Sequence, residues 1–155
     1  MWEEETMVAK DAGIRVVNAR MGVVLSPDGG ALAKMTPVFK LSVGGRLGSG
    51  RQRMSWVALE DVVGMFTAAL EDERYVGPIN VVAPDIITNA EFTKAMGAAL
   101  HRGTLFPVPA FALKILFGEM AEATLLADLA VAPAKLEEYG YEFKVGVLSK
   151  ALSGL

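Results

Sequence analysis

The sequence predicts an α/β fold organised as one domain over residues 1–155. Two nearly continuous apolar segments, at residues 14–19 and 79–83, are typical of strands buried on both faces of a parallel sheet. Helical patterns separate these segments, and strands that alternate with helices indicate the α/β class. A chain of 155 residues is also long enough to bury one hydrophobic core.

The first element is a helix predicted at residues 2–12. Its first turn carries three glutamates, which the positive end of the helix dipole favours, and Gly13 is a suitable residue to end it. The apolar strand at residues 14–19 follows, and a second short apolar segment lies at residues 23–25. A helix followed by a buried strand is half of a βαβ unit.

Turn, helix and strand signals follow in that order. Proline and glycine residues within residues 26–30 predict a turn, and the helical pattern of residues 31–40 is interrupted at Pro37. The glycine-rich residues 44–50 predict a flexible stretch. Residues 54–59 are a candidate for a short strand.

Two further helices are predicted on either side of the strand at residues 79–83. The first opens at Asp61 and has one wide apolar face, which needs a sheet to cover it. The second occupies residues 89–100, because Thr88 and Glu91 have the spacing of a capping box. The apolar face of the first helix consists of Val62, Val63, Met65, Phe66, Ala69 and Leu70.

The last third of the chain is predicted to form a helical cap. Residues 1–104 hold the predicted strands, their helices and a substrate-side loop, whereas residues 105–155 show only short helical patterns. These patterns lie at residues 110–117, 119–127, 133–139 and 147–152.

The composition is unusually apolar for a single domain. Hydrophobic residues make up 52% of the chain, and the mean hydropathy is +0.37, whereas roughly 45–50% is ordinary. A membrane span needs about 20 apolar residues, and the run at residues 105–118 is shorter and contains prolines and a lysine. A secretory signal begins with basic residues, whereas positions 3–5 of this chain are acidic, so we expect a cytoplasmic protein. We expect the surplus apolar residues to lie at an interface.

Several classes of site are excluded by the residue counts. The chain has no cysteine and one histidine, which leaves no disulfide and makes a zinc site very unfavourable. Its net charge is −3 and its basic residues are scattered, so it lacks the positive surface that nucleic acids require. Small molecules and other proteins are the expected partners.

Four segments in order carry a resemblance to a known family. Residues 20–35, 47–64, 77–102 and 107–122 are similar to the YfcH-like epimerases, which belong to the extended short-chain dehydrogenase/reductases. The resemblance implies a truncated Rossmann-like carboxyl-terminal portion with a small helical substrate-side region. It also implies that the dinucleotide-binding half, which binds NAD(P) in intact members, is missing and that residues 2–12 follow the family's catalytic Tyr-x-x-x-Lys.

The residues needed for that chemistry are absent from the sequence. The mechanism uses a tyrosine whose pKa is lowered by a lysine four positions later, but Ile79, Phe143 and Val145 occupy those positions after the three tyrosines. The glycines of residues 44–50 lack the GxGxxG spacing and lead into a strand rather than a helix. We therefore expect no catalytic residue and no cofactor in this chain alone.

Substrate-side contacts could nevertheless survive. Arg51, Gln52 and Arg53 follow the glycines, and guanidinium groups suit the phosphates of a nucleotide sugar, although a solvated loop is the simpler interpretation. Arg20 and Ser26 lie near the ends of the first strands, where open α/β sheets bind ligands, although Ser26 would also serve to shape the turn.

Other polar residues have simpler predicted roles. Met54 stands where many family members have an arginine, and Met21 where threonine is common, so two polar contacts of the family are lost. Glu60 and Asp61 are neighbours on a helix and do not face one another, which favours a helix cap over an acid/base pair. His101 is predicted to be a surface residue at a helix end.

Three functional hypotheses remain open from the sequence. The first is a non-catalytic remnant of an epimerase that forms a homodimer through its exposed apolar strands and helices, with or without exchange of segments, because unpaired apolar edges associate. The second is a nucleotide-sugar-binding module or a subunit beside a separate catalytic chain. The third is an enzyme that takes its cofactor in a shared oligomeric site.

Overall fold

Strands and helices alternate along the chain in the computed structural model, which describes residues 2–104, 106–109 and 126–155 and confirms the α/β class. The helices are α1 Trp2–Glu5, α2 Met7–Asp11, α3 Gly30–Lys40, α4 Leu59–Glu71, α5 Asn89–Ala99, α6 Ala134–Glu138 and α7 Leu148–Ala151. The strands are β1 Val17–Met21, β2 Val23–Ser26, β3 Arg53–Met54, β4 Trp56–Ala58, β5 Gly77–Val81 and β6 Ile87–Thr88.

The described strands pair in three groups of two. β1 is parallel to β5, with Val17 opposite Gly77 and Met21 opposite Val81. β2 is parallel to β4, and the short β3 is antiparallel to β6. The parallel pairing predicted from the apolar segments is therefore present.

The chain changes strand partners at Gly22. Its amide donates to the carbonyl of Val81 at 3.2 Å, and the next amide, of Val23, donates to the carbonyl of Ser55 at 2.9 Å. A β-carbon at position 22 would lie 2.6 Å from the same Ser55 oxygen. Only glycine allows the backbones to approach this closely, and β1 can thus continue into β2 beside a different strand.

β1 is less buried than the sequence predicts. Arg20 and Met21 are exposed, and Val17 is only half-buried, whereas Ile79 and Val81 of β5 are buried. The prediction that the first strand is buried on both faces is wrong for this chain. Among the described strands only β5 is hydrogen-bonded to β1, so the opposite edge of β1 lacks a strand partner in this part of the chain.

Two apolar clusters form the core. The first packs α3 and α5 around Trp56, and the second packs α4 and α6 on β5. Their largest fully buried side chains are Trp56, Phe92, Leu32, Met65, Ile79, Met96, Leu136 and Leu152.

Two predicted helices differ from the structure in their details. The helix predicted at residues 2–12 is divided at Thr6, whose hydroxyl donates to the carbonyl of Glu3 at 2.7 Å, and this local hydrogen bond competes with helical pairing. The predicted interruption at Pro37 is wrong, because α3 continues to Lys40. Phe39, two positions after the proline, is buried, and its packing offsets the helical hydrogen bond that proline cannot donate.

The apolar face predicted for α4 is divided into two stripes. Val62, Met65 and Ala69 are buried, but Val63, Phe66 and Leu70 are exposed. The prediction that a sheet covers the whole face is wrong, since a helix packed on one sheet buries a stripe about 100° wide. The second stripe is apolar surface that the described core does not use.

The predicted capping box is present at the start of α5. The Thr88 hydroxyl accepts from the Glu91 amide at 3.2 Å, and the Glu91 carboxylate accepts from the Thr88 amide at 2.7 Å. The Thr88 amide holds the pKa of the Glu91 carboxyl below its usual value, and the Thr88 hydroxyl, which donates to the same carboxylate at 2.8 Å, adds to this effect. The helix predicted at residues 89–100 is thereby confirmed.

The carboxyl-terminal segment packs back on this framework. The helical patterns at residues 133–139 and 147–152 correspond to α6 and α7. The helices predicted at residues 110–117 and over most of residues 119–127 lie outside the described residues. Among the helices that the structure does describe, none is long and apolar enough to cross a bilayer.

Candidate functional site

A cleft of about 550 Å³ opens at the carboxyl ends of β1 and β5. Arg20 and Met21 lie at the end of β1, Asn80 lies at the end of β5, and Arg53 and Ser55 line the opposite wall. This edge of a parallel sheet is where α/β proteins bind ligands. The structure thus brings together Arg20 and Arg53, two of the five residues predicted to contact a substrate.

Arg20 is held by a carboxylate of α1. Its Nε and one terminal nitrogen donate to the two carboxylate oxygens of Glu3, at 2.6 and 2.7 Å. These hydrogen bonds raise the pKa of Arg20 and lower the pKa of Glu3. Both side chains are about half exposed, so the guanidinium can exchange this partner for a ligand anion at little cost.

Arg53 forms an equivalent pair on the other wall. Its Nε and a terminal nitrogen donate to the two oxygens of Asp128, at 2.9 and 2.8 Å, and its backbone amide donates to the same carboxylate at 2.8 Å. The side-chain hydrogen bonds from Arg53 are the main cause that lowers the pKa of Asp128 to about 2. Two arginines, each with a carboxylate partner, therefore line one cleft.

Ser55 and Asn80 fix the wall that contains Asp128. The Ser55 hydroxyl accepts from the Val131 amide at 2.8 Å and donates to the carbonyl of Leu129 or Val131, at 3.1 and 3.3 Å. The Asn80 side chain donates to the carbonyl of Ala132 at 3.1 Å. Sequence reasoning missed Ser55, Asn80 and Asp128, although a buried serine between the apolar residues of a strand is a usable signal.

The remaining surface of the cleft is apolar. Met21, Val23 and Leu129 line it and are exposed. Met21 occupies a position where the family resemblance implies threonine, so the cleft holds a thioether in place of a hydroxyl. The arrangement offers two cationic groups above apolar surface.

Gln52 and Arg51 lie outside this cleft. The side-chain nitrogen of Gln52 donates to the Leu47 carbonyl at 3.0 Å, and the backbone carbonyl of Gln52 accepts from the backbone amide of Asn89 at 2.9 Å. The side-chain oxygen of Asn89 accepts from the Leu47 backbone amide at 2.7 Å. The stretch at residues 44–50, predicted to be flexible, is instead tied to the start of α5, and Arg51 is an exposed residue of this loop.

Ser26 lines a different cleft, of about 610 Å³, between the start of α4 and the carboxyl-terminal segment. Its hydroxyl accepts from the Asp28 amide at 3.3 Å, which stabilises the turn after β2. Ser26 is therefore separate from Arg20 and Arg53. Its placement in the turn agrees with the alternative role that the sequence suggests.

Asp61 is an anchor rather than a helix cap. The N-cap of α4 is Ala58, and the buried carboxylate of Asp61 accepts from the amides of Lys144 and Val145 at 2.7 and 2.9 Å. The predicted helix cap is therefore wrong. The Asp61 carbonyl also accepts from the Tyr141 hydroxyl at 3.0 Å, and burial raises the pKa of that hydroxyl to about 12.

His101 matches its predicted role. It is exposed just beyond α5, and its backbone φ of 53° places it in the left-handed region. Left-handed backbone is typical of a residue that ends a helix. His101 takes no part in the cleft.

Comparisons with known proteins match the whole chain to one group. Residues 108–155 match a family described as a domain of unknown function, DUF1731. The epimerase family protein MT2273 of Mycobacterium tuberculosis is 45% identical over 97% of this chain and 50% of its own length. The human epimerase family protein SDR39U1 is 38% identical over 97% of this chain and 51% of its own length.

Solved structures show the same relationship. Human SDR39U1 isoform 2, solved with NADPH, has a TM-score of 0.87 at 38% identity and covers 91% of this chain and 48% of its own. A nucleoside-diphosphate sugar epimerase from Corynebacterium glutamicum has a TM-score of 0.78 at 34% identity, covering 98% of this chain and 28% of its own. The chain spans about half the length of the curated relatives that it matches.

Proposed function

Because this chain corresponds to a carboxyl-terminal part of an epimerase family protein, we propose that it forms the substrate-side wall of an NAD(P)-dependent enzyme. It carries no catalytic activity alone and acts once a dinucleotide-binding half is supplied. The observation that supports this role is the convergence of Arg20 and Arg53 on one cleft at the carboxyl ends of β1 and β5.

The proton-transfer chemistry must come from the other half. None of the three tyrosines has a lysine four residues later, so this chain has no pair of the kind that the family mechanism uses. Human SDR39U1 was solved with NADPH, which supports NAD(P) as the cofactor of the completed enzyme. The exposed edge of β1 is a suitable place for a strand of that half to pair.

The proposed ligand of the cleft is a nucleotide sugar. Its diphosphate would bind the guanidinium groups of Arg20 and Arg53 in place of Glu3 and Asp128, since a planar guanidinium donates two parallel hydrogen bonds to phosphate as readily as to carboxylate. The apolar surface at Met21 and Leu129 would contact the rings of the ligand.

Complementation tests this function. The half of the M. tuberculosis relative that this chain does not match is produced separately and mixed with this chain. Fluorescence then measures NADPH binding to the mixture, and calorimetry measures UDP-glucose binding. We expect UDP-glucose to bind the mixture in the presence of NADPH and to bind neither half alone. Arg53→Met should weaken this binding at least tenfold, whereas Arg51→Met, outside the cleft, should not.

The result that would overturn the proposal is equally specific. If the two halves associate and bind NADPH but UDP-glucose binding is absent or insensitive to Arg53→Met, the cleft is not a nucleotide-sugar site. If this chain alone turns over a nicotinamide-dependent reaction, the assignment as a non-catalytic half is wrong.

A binding module is the second candidate. Glu3 and Asp128 already hold Arg20 and Arg53 at the cleft, which favours a ligand site that exists without another half. Calorimetry with UDP-glucose and the chain alone distinguishes the two functions. Binding that Arg53→Met abolishes would support the module, and absence of heat together with absence of a thermal shift would exclude it.

A further inference from the structure

A small pocket of about 220 Å³ lies between α5 and the loop at residues 44–50, and we call it the α5 pocket. Ala90, Thr93 and Lys94 share one face of α5, because residues three and four positions apart are neighbours on a helix. None of the pocket residues lines the cleft at the carboxyl ends of β1 and β5. The described residues that line the α5 pocket are Arg46, Ala90, Thr93, Lys94, Thr104 and Pro107.

Two glycines let the chain beyond α5 close one side of the pocket. A β-carbon at Gly97 would lie 2.7 Å from the Thr104 methyl carbon and 2.8 Å from the Arg102 carbonyl oxygen. A β-carbon at Gly45 would overlap the carbonyl oxygen of Phe106. Only glycine permits such close approach, so the chain after α5 packs against both the helix and the loop. The α5 pocket is therefore built from three segments that contact one another.

Arg46 is held beside α5 by the backbone around it. Its carbonyl oxygen accepts from the Val108 amide at 2.9 Å, which fixes its position in the loop. A β-carbon at Gly50 would lie 3.4 Å from the Cβ and Cδ atoms of Arg46 and 3.1 Å from the Cβ atom of Ala90, so the aliphatic part of Arg46 runs past Gly50. Within the described residues, the guanidinium of Arg46 and the ammonium group of Lys94 have no carboxylate or hydrogen-bond partner.

Thr93 brings a hydroxyl to the pocket that the fold itself does not use. Its residue is only 4% exposed, yet its hydroxyl makes no hydrogen bond within the described part of the chain, and the same holds for the half-buried Thr104. Thr36 of α3 and Thr67 of α4 instead donate to the carbonyl four residues earlier, at 2.8 and 3.0 Å. Every fully buried polar side-chain atom of the described residues has a partner, so the Thr93 hydroxyl remains accessible at the pocket that it lines.

Basic side chains predominate around the α5 pocket. The segments at residues 44–51, 89–97 and 102–107 carry four basic side chains and one carboxylate, although the net charge of the chain is −3. That carboxylate, of Glu91, accepts from the amide and the hydroxyl of Thr88 at 2.7 and 2.8 Å, at the start of α5. The local charge therefore favours an anion. The four basic residues are Arg46, Arg51, Lys94 and Arg102.

The size of the pocket limits the ligand. A volume of about 220 Å³ is smaller than the roughly 300–1,000 Å³ of sites for drug-sized molecules, whereas one water molecule occupies about 30 Å³. The pocket therefore admits a group of several heavy atoms but not a whole nucleotide sugar. A phosphate group has this size, carries negative charge and has oxygens that are strong hydrogen-bond acceptors.

We propose that the α5 pocket binds a phosphate group, either inorganic phosphate or the phosphate of a small monoester. The planar guanidinium of Arg46 donates two hydrogen bonds to the phosphate, and the ammonium group of Lys94 supplies a second positive charge. The hydroxyls of Thr93 and Thr104 donate to the remaining oxygens. The bound anion joins the three segments of the pocket, so it raises the stability of the fold. This site does not depend on the function proposed for the cleft.

Calorimetry on the unmodified chain tests the site, with inorganic phosphate and glycerol 3-phosphate as separate ligands. At least one of the two should bind and raise the melting temperature. Arg46→Met and Lys94→Met should each weaken that binding about tenfold or more, because each removes charge-assisted hydrogen bonds. Arg51→Met and Arg53→Met are the controls and should leave phosphate binding unchanged, since Arg51 is an exposed residue of the same loop and Arg53 lies in the other cleft.

Thr93→Val separates a ligand-binding role from a structural one. Because the hydroxyl has no partner in the described fold, its removal should leave the free energy of unfolding unchanged or higher when phosphate is absent. The same substitution should weaken phosphate binding severalfold. Thr36→Val is the control for affinity, since that hydroxyl bonds within α3 and lies outside the pocket. Two-dimensional NMR should show phosphate-dependent shifts at the Thr93 and Thr104 amides.

The two ligands distinguish the sources of the phosphate group. Tighter binding of glycerol 3-phosphate supports a monoester as the ligand, and equal or tighter binding of inorganic phosphate supports the free anion. Three results would refute the site. Neither anion binds at millimolar concentration, or binding persists undiminished in both Arg46→Met and Lys94→Met, or binding is lost in Arg53→Met, which would place the phosphate in the other cleft.

Discussion

Arg53 and Asp128 are joined by two side-chain hydrogen bonds and by a third from the Arg53 backbone amide, and this pair fixes one wall of the cleft. The residues are 75 positions apart in the sequence. The geometry of the wall therefore depends on a contact whose strength changes with the protonation of one carboxylate.

The first prediction concerns that protonation. The pKa of Asp128 is lowered from 3.8 to about 2 in the folded chain. The pair with Arg53 therefore stabilises the fold fully above the unperturbed pKa of 3.8, and this contribution is lost as the pH falls to the folded-state pKa of about 2. We expect the wall to loosen between about pH 4 and pH 2. A carbon-13 titration of the Asp128 carboxyl measures this pKa, and Arg53→Met should return it towards 3.8. An unchanged pKa in that variant would contradict the role of Arg53.

The second prediction concerns the strand switch at Gly22. Gly22→Ala would place a β-carbon 2.6 Å from the Ser55 carbonyl oxygen. This distance is shorter than a van der Waals contact, and because the clashing atom belongs to the backbone, one of the two strands would have to move. We expect a loss of about 1–3 kcal/mol in the free energy of unfolding, the usual cost of overpacking. Urea denaturation measures it. Gly29→Ala is the control, because nothing lies within 4 Å of its β-carbon position and its backbone is extended.

The third prediction concerns the anchor at Asp61. Asp61→Ala leaves the amides of Lys144 and Val145 without their acceptor, and we expect a loss of about 2–5 kcal/mol for two hydrogen bonds to a buried charge. Hydrogen exchange should accelerate at these two amides. Asp11→Ala, on the exposed end of α2, should change neither quantity. Slow exchange at Val145 in the Asp61 variant would show that other contacts hold this segment.

The fourth prediction concerns the capping box. Thr88→Ala removes the hydroxyl that accepts from the Glu91 amide, and caps of this type contribute about 1 kcal/mol. Thermal unfolding should show a loss of that size. Thr67→Ala is the comparison, since that hydroxyl donates to the carbonyl of Val63 within α4 and caps no helix end. Equal effects of the two substitutions would argue against the capping role.

Local signals in the sequence account for the parts of the fold that were predicted. The capping box at Thr88 and Glu91 and the apolar segment before it depend on neighbouring residues, and both are present in the structure. The anchoring role of Asp61 could not be predicted in this way. Its partners lie 83 and 84 positions later, and neither amide is distinguished by its side chain.

The candidate site was predicted only in part for a similar reason. Arg20 and Arg53 line the same cleft because β1 ends, and β3 begins, beside it, although the two strands belong to different pairs. Gln52 adjoins Arg53, but successive residues of an extended chain point in opposite directions, and its side chain turns to the loop. Asp128 lies far along the chain from both arginines, where no local pattern marks it as a partner.

The pairing of β1 with β5 also sets an order for synthesis on the ribosome. Val17 is hydrogen-bonded beside Gly77, 60 positions later, and α3 and α4 lie between them. A nascent chain must therefore expose β1 until α4 and β5 have left the exit tunnel. During that interval the edge of β1 that pairs with β5 is open to other nascent chains and to chaperones.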